Sequence, residues 1–167
     1  MTTQTAPIES PVLTVTDVAP FTGLCFTTRT TLADMAQFHG LGNDLRAEAA
    51  RLNAEITGPT QWIYTDVTGD VTHEFQLDIV VPVSLPVGKP DAAFAGVRFD
   101  YKRFRPFRCV SYVYTGPWSE LMGVYDVLFA QFHRDGYQND GRVREIYSVV
   151  DLVNPDRCVT EIQLGLA

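Results

Sequence analysis

The sequence repeats itself weakly at a fixed spacing of 83 positions, and this duplication limits the possible folds more than any other feature. At this spacing Tyr64 falls on Tyr147, and Gly58 falls on Gly141. The other coinciding pairs are Ile63 with Ile146, Leu45 with Leu128, Asp78 with Glu161, and Ile79 with Ile162. Turn, strand and helix positions therefore coincide in the two halves, and each half is predicted to fold as a copy of one unit.

The second half contains the clearest helix pattern in the chain. Apolar residues recur there at spacings of three and four, which is typical of one stripe of an α-helix. They are Trp118, Leu121, Met122, Tyr125, Leu128, Phe129 and Phe132. We expect Pro117 to occupy the first helical position and Gly136 to end the helix in a left-handed conformation. Gly141 is expected to precede a strand that spans residues 143–150.

The helix of the first half is interrupted by glycines. Thr31 is the expected N-cap, and Gly58-Pro59 stops the element. Gly40 and Gly42 lie inside the stripe, where each costs about 1 kcal/mol relative to alanine. They either divide the helix or let another segment approach its backbone closely.

Alternating apolar patterns predict strands in the rest of the chain, in the order β-β-α-β-β, linker, β-β-α-β-β. A disordered tail over residues 1–10 precedes a single domain, 11–167, with repeat one at 11–84, a linker at 85–96 and repeat two at 97–167. Each helix covers only part of its sheet, so the two units are expected to pack about a pseudo-two-fold axis. That packing leaves a cleft at the seam between them.

Composition excludes several classes of protein. A net charge of −7 disfavours direct binding to nucleic acid, and no run of about 18 apolar residues is present to span a membrane. The polar N-terminus has no targeting pattern. Cys25, Cys109 and Cys158 are odd in number and far apart, which favours buried thiols in a reducing compartment. We expect a cytoplasmic protein without a metal or another cofactor.

Glu145 is the candidate central residue of the cleft, because it is an acid in an otherwise apolar strand. Glu145 and Tyr147 share one strand face, as do Trp62 and Tyr64 in the other half. Trp62 is the duplicate position of Glu145, so the two are expected on either side of the seam. A carboxylate among aromatic rings suits a flat, apolar and cationic ligand. The alternative is an exposed glutamate paired with Arg144.

Three more aromatic residues lie around the turn that precedes the second helix. Tyr112 and Tyr114 share a strand face, and Trp118 follows the turn. The alternative for each is an ordinary place in the core. The complete predicted ligand-binding set is Glu145, Tyr147, Trp62, Tyr64, Tyr112, Tyr114 and Trp118.

The segment from Tyr114 to Tyr147 resembles the GyrI-like family, also called AraC-type or bacterial transcription activator effector-binding domains. The matching residues are Gly116, Pro117, Trp118, Leu121, Tyr125, Leu128, Gly136, Gly141, Glu145 and Tyr147, and in the first half Gly58-Pro59, Ile63-Tyr64 and Val81-Pro82-Val83. The resemblance covers residues 12–166. Tyr114 stands where the family often has histidine, and Trp118 where it often has tyrosine. Both differences make the site more apolar.

The resemblance implies an α+β fold of duplicated β-α-β-β units, with a curved antiparallel sheet, two helices and a central ligand groove. One extra strand per half would then be a misreading. It also implies an effector-binding or multidrug-binding module, here a stand-alone relative of transcription regulators. Its ligand would be an amphipathic, aromatic or cationic small molecule bound at a central glutamate.

Two other functions are compatible with the same resemblance. One is hydrolysis of strained, cyclopropane-type toxins, in which Glu145 deprotonates or orients water and Tyr147, Tyr112 or Tyr114 supplies a proton. The other is a protein-binding inhibitor of the gyrase-inhibitor type, in which an acidic surface acts as a decoy for a basic site on a protein partner.

Overall fold

A computed structural model describes residues 10–167, so the predicted disordered tail lies, except for Ser10, outside the described residues. The strands are β1 (Thr14–Val18), β2 (Phe21–Thr30), β3 (Gln61–Thr65), β4 (Phe75–Val83), β5 (Ala93–Phe94), β6 (Val97–Arg98), β7 (Asp100–Phe104), β8 (Phe107–Thr115), β9 (Asn139–Val149) and β10 (Val159–Leu166). The helices are α1 (Leu41–Arg51) and α2 (Leu121–Arg134), with 3-10 turns at Leu32–Phe38, Trp118–Glu120 and Pro155–Arg157.

Eight strands form one antiparallel sheet, in the order β1-β8-β10-β9-β3-β4-β2-β7. Strands β3 and β9 pair at its centre, where Trp62 lies opposite Glu145. The sheet thus consists of two halves that meet at this pair. Strand β3 belongs to the unit β2-α1-β3-β4, and β9 belongs to the unit β8-α2-β9-β10. The predicted fold class, α+β with duplicated β-α-β-β units and two helices, is confirmed.

The extra strand of each half exists, so the expectation that it was a misreading is wrong. Strand β1 pairs with β8 of the second half, and β7 pairs with β2 of the first. The two leading strands are therefore exchanged, and each covers an edge of the other half's sheet. Alternation along a strand predicts that the strand exists, but it does not indicate which partner the strand will choose.

The two glycines of the first helix have different roles. Gly40 separates the 3-10 turn Leu32–Phe38 from α1, and so divides the predicted helix. A Cβ on Gly42 would lie 3.3 Å from the methyl group of Thr60, so this position permits a close approach. Thr31 makes no capping bond to the backbone, and its hydroxyl instead donates to Asp34 at 3.1 Å.

The second half differs from the sequence prediction at two points. Pro117 has extended backbone angles and precedes the 3-10 turn, so its placement in the first helical position is wrong. Gly141 lies inside β9 rather than before it, with φ +86°, beside an irregularity in the β9–β10 ladder. Gly136 does follow α2 with φ +86°, and its N–H donates to the carbonyl of His133, as predicted.

The core lies between the sheet and the two helices. Leu45 of α1 and Phe132 of α2 are fully buried against sheet residues such as Leu77 and Ile162. A smaller buried cluster on the opposite sheet face consists of Cys25, Ile63, Val80 and Phe104. No helix within residues 10–167 is long and apolar enough to cross a membrane.

Candidate functional site

A cavity of about 640 Å³ opens on the helix-covered face of the sheet, a volume typical of small-molecule sites. It is lined by Leu32, Tyr64, Val67, Thr68, Gly69, Val71, Leu121, Met122, Tyr125, Asp126, Phe129, Asn139, Val143 and Glu145. Most of these side chains are apolar. The first half supplies the residues up to Val71 and the second half supplies the rest, so the cavity crosses the seam.

One stripe of α2 forms a wall of the cavity. Met122, Tyr125, Asp126 and Phe129 are spaced i, i+3, i+4 and i+7, which places them on one helix face. The neighbouring stripe carries Leu128 and Phe132, which are buried in the core. The sequence pattern had merged these two stripes into one.

Glu145 lies at the floor of the cavity and is only 6% exposed. The hydroxyl of Tyr125 donates to its Oε1 at 2.6 Å, and the hydroxyl of Tyr147 donates to its Oε2 at 2.5 Å. Tyr64 is a third phenol beside the same carboxylate. Both carboxylate oxygens are therefore hydrogen-bonded, but by neutral donors.

Burial raises the pKa of Glu145 above its usual range, and the hydroxyls of Tyr125, Tyr147 and Tyr64 offset part of this rise. Among residues 10–167, no arginine, lysine or histidine forms an ion pair with Glu145. Arg144 is on the other sheet face, with its guanidinium 4.0 Å from the centre of the Phe107 ring. The alternative of an exposed Glu145 paired with Arg144 is therefore not observed.

The three phenols are held in their neutral form. Burial, followed by the charge of Glu145, raises the pKa values of Tyr64, Tyr125 and Tyr147 well above their usual range. At neutral pH each therefore keeps its proton and acts as a hydrogen-bond donor.

The two tryptophans of the predicted set pack against Tyr147. The ring of Trp62 is 6.2 Å from that of Tyr147 and the ring of Trp118 is 5.3 Å from it, both in edge-on contacts. The indole N–H of Trp118 donates to Thr160 Oγ1 at 3.3 Å. Neither tryptophan lines the cavity. Trp62 lies opposite Glu145 on the neighbouring strand, and both indoles pack on Tyr147, which is hydrogen-bonded to Glu145.

The remaining two predicted residues lie on β8, separated from β9 by β10. The hydroxyl of Tyr114 donates to the carbonyl of Pro117 at 3.0 Å, which ties it to the turn before α2. Tyr112 lies opposite Ile162. Neither lines the cavity, and a role for them in ligand binding stays a prediction.

Sequence reasoning missed Tyr125 and Asp126 as residues of the cavity, because Tyr125 is part of the apolar helix pattern and Asp126 is a polar residue of the same helix. A buried tyrosine usually finds a hydrogen-bond partner for its hydroxyl. Glu145 was the only acid predicted on the strand that follows, so the pairing with Tyr125 could have been proposed from the sequence.

No protein-family model and no curated protein matches the chain. Solved structures do match it. The C-terminal domain of EcmrR superposes with a TM-score of 0.74 at 16% identity, covering 94% of this chain and 98% of that domain. In the cryo-EM structure of an EcmrR–DNA complex the TM-score is 0.77 at 15% identity, covering 96% of this chain and 59% of the EcmrR chain. The chain thus spans about three fifths of the length of that protein.

Two other solved structures share the fold. SAV2435 bound to tetraphenylphosphonium has a TM-score of 0.60 at 14% identity, covering 93% of this chain and 94% of SAV2435. A protein from Listeria innocua described as a hydrolase has a TM-score of 0.60 at 17% identity, covering 95% and 94% of the respective chains. The chain therefore shares the fold of the EcmrR C-terminal domain and of SAV2435, which agrees with the fold that the sequence resemblance implied.

Proposed function

We propose that the protein binds an amphipathic, aromatic cation in the cavity above Glu145. The observation that supports this most strongly is the combination of a buried carboxylate, apolar walls and the lack of any cationic partner for Glu145 among residues 10–167. Neutral phenols satisfy the hydrogen bonding of Glu145 without neutralising its charge.

The physical reason is the cost of a buried ion. An unpaired carboxylate in a protein interior is unfavourable by several kcal/mol, and a cation that enters the site offsets part of that cost. A cation surrounded by aromatic rings suits the site because its outer surface is apolar. The aromatic side chains of Tyr64, Tyr125 and Phe129 line the cavity, and aromatic rings attract both other rings and cations. Anions of the same shape face the same walls but are repelled by Glu145.

A comparison with SAV2435 supports the same ligand class. That protein has the same fold and was solved bound to tetraphenylphosphonium, a cation surrounded by four phenyl groups. We therefore use tetraphenylphosphonium as the probe, with tetraphenylborate as its counterpart of like shape and opposite charge.

The test is a calorimetric titration of the wild-type protein with both probes. We expect tetraphenylphosphonium to bind and tetraphenylborate not to bind. Glu145→Gln preserves the shape of the side chain but removes its charge, and should weaken tetraphenylphosphonium at least tenfold, or about 1.4 kcal/mol. The control, Glu55→Gln, removes the same charge from an exposed residue outside the cavity and should change the affinity little. Equal affinity for the two probes, or equal loss in the two variants, would refute the proposal.

A second candidate is hydrolysis of a strained electrophile. Its support is the raised pKa of Glu145, which suits a general base, beside phenols that carry protons. In this scheme Glu145 takes a proton from water as the water oxygen bonds to the strained carbon and a ring carbon–carbon bond breaks. The hydroxyl of Tyr125, the phenol that lines the cavity and contacts Glu145, protonates the leaving carbon and then recovers a proton from Glu145. For the attack on the strained carbon, water must first displace one of the tyrosine hydroxyls that are hydrogen-bonded to the carboxylate of Glu145. Steady turnover of a cyclopropane-type electrophile, lost in Glu145→Gln, would favour this candidate, whereas simple saturation without product would favour binding alone.

A further inference from the structure

We propose that the preferred ligand carries two positive charges, one paired with Glu145 at the floor of the cavity and the other with Asp126 at its mouth. This inference rests on the proposed function, because it concerns the same cavity and adds a second contact to it. It assigns to Asp126 a role in selecting ligands by charge and length.

Asp126 is the one acid on the cavity-facing stripe of α2. It follows Tyr125 and lies four residues after Met122 and three before Phe129. Its side chain lines the cavity and is exposed to solvent, which places it at the opening. Within the described part of the chain it makes no side-chain hydrogen bond and no ion pair, and no basic residue lies three or four positions away on the helix.

The charges along the cavity are all of one sign. Among the fourteen lining residues in the described range 10–167, only Asp126 and Glu145 are charged, and none is a lysine, arginine or histidine. The walls of the same cavity include Met122, Phe129 and Leu121, which are apolar. A ligand that satisfies both acids therefore needs two cationic ends and an apolar middle.

Tyr125 and Asp126 are consecutive residues of α2, and they reach the floor and the mouth of the cavity, respectively. The hydroxyl of Tyr125 contacts Glu145, whereas Asp126 leaves the helix at the next residue. Because Glu145 is buried and Asp126 is exposed, the two carboxylates lie at different depths of the cavity. This geometry favours an elongated dication, in which one end is desolvated at the floor and the other stays hydrated at the mouth.

The two contacts differ in strength because they differ in exposure. A solvent-exposed ion pair contributes about 0.2–1 kcal/mol, which corresponds to a gain in affinity of up to about fivefold. Added salt screens such an exposed pair strongly and a buried one weakly. The contribution of Asp126 should therefore disappear at high salt, while that of Glu145 should persist.

The experiment compares alkanes that carry a trimethylammonium group at both ends with alkanes of equal length that carry one. Affinities are measured by calorimetry over a series of chain lengths, at low and high salt. The variants are Asp126→Asn, Glu145→Gln and, as a matched control, Asp135→Asn. Asp135 is an exposed acid at the end of the same helix and does not line the cavity.

We expect Asp126→Asn to weaken the dications about two- to fivefold at low salt, at one favoured chain length, and to leave the monocations nearly unchanged. Asp135→Asn should affect neither class. If Asp126→Asn and Asp135→Asn weaken both classes equally, or if dications show no dependence on Asp126, the inference is overturned. In that case a loss of monocation binding in Glu145→Gln would still support the proposed function. If Glu145→Gln leaves both classes unchanged, the proposed function itself fails.

Discussion

The hydroxyl of Tyr125 on α2 lies 2.6 Å from Oε1 of Glu145 on β9, and this bond joins the wall of the cavity to its floor. It has two consequences. It offsets part of the rise that burial causes in the pKa of Glu145, and it fixes the helix face that carries Met122 and Asp126 over the sheet.

The first prediction concerns this bond. Tyr125→Phe removes the hydroxyl, so the pKa of Glu145 should rise further. A net hydrogen bond to a charged group is worth about 1.5–3 kcal/mol, and this stabilisation of the charged carboxylate is lost in the variant. Tetraphenylphosphonium binding should therefore be lost at a correspondingly higher pH as the solution is acidified. Calorimetric affinities measured over a pH series check this result.

Tyr137→Phe is the matched control for this change. Tyr137 lies just beyond the end of α2, packs on Phe132, and does not line the cavity. Its variant should retain the wild-type pH dependence. Identical pH profiles for the Tyr125 and Tyr137 variants would contradict the assigned role of the Tyr125 hydroxyl.

The second prediction concerns stability and pH. Because the folded-state pKa of Glu145 is raised above its ordinary value of 4.5, the folded protein binds a proton more readily than the unfolded chain does. This contribution to stability is present below pH 4.5 and is lost as pH rises through the folded-state pKa. The free energy of unfolding of the wild type, relative to Glu145→Gln, should therefore fall as pH rises. Denaturant unfolding at several pH values measures it, and a relative gain of wild-type stability with pH would contradict the burial of Glu145.

The third prediction concerns Glu48, a buried acid of α1 with the opposite shift. Its carboxylate accepts hydrogen bonds from Arg51 and from the backbone N–H groups of Asp91 and Ala92, the latter at 2.9 and 2.6 Å. The bond from Arg51 is the largest cause that lowers the pKa of Glu48 from 4.5 to about 2. Its contribution to stability is therefore present above pH 4.5 and is lost as pH falls towards 2.

Glu48→Gln should accordingly destabilise the protein at neutral pH by about 2 kcal/mol, and by less near pH 2. Unfolding by denaturant at the two pH values gives both numbers, with Glu55→Gln as an exposed control. A loss that stays the same at both pH values would show that the charge of Glu48 does not anchor the segment around Asp91.

The fourth prediction compares two glycines of the second half. Gly141 has φ +86°, so Gly141→Ala should destabilise the protein by about 1–2 kcal/mol through backbone strain. Gly123 lies inside α2, and beyond its chain neighbours and the backbone of its own helix a Cβ at this position would meet no atom within 4 Å, so Gly123→Ala should stabilise the protein by about 1 kcal/mol. Thermal unfolding measures both, and a change of the same sign in the two variants would contradict the assigned conformations.

Much of the fold could be predicted because its determinants are local. The 83-residue repeat placed Tyr64 and Tyr147 in equivalent strands, and Gly136 was expected to end α2 because a left-handed residue favours glycine. The exchange of β1 and β7 between the halves could not be predicted. The alternation of apolar and polar residues along a strand is the same whichever sheet edge the strand covers. Only tertiary packing therefore decides which half of the sheet β1 and β7 join.

The site was predicted less completely than the fold. Glu145 was identifiable because an acid interrupts an apolar strand, and its position opposite Trp62 follows from the repeat. The sequence pattern did not identify Tyr125 and Asp126, which both lie on α2. A helix face that lines a cavity and a helix face that packs in the core have the same residue spacing. The roles of Tyr125 and Asp126 depend on how α2 is rotated over the sheet.

The measurement that tests the central claim most directly is the number of protons released when tetraphenylphosphonium binds. A cation that pairs with Glu145 stabilises the carboxylate, so binding should release up to one proton per ligand at pH values near or below the raised pKa of Glu145. Calorimetric titrations in buffers of different ionisation enthalpy, from acidic to neutral pH, give this number. The account predicts proton release in the wild type and none in Glu145→Gln. Binding without proton release at every pH, or equal release in both proteins, would contradict it.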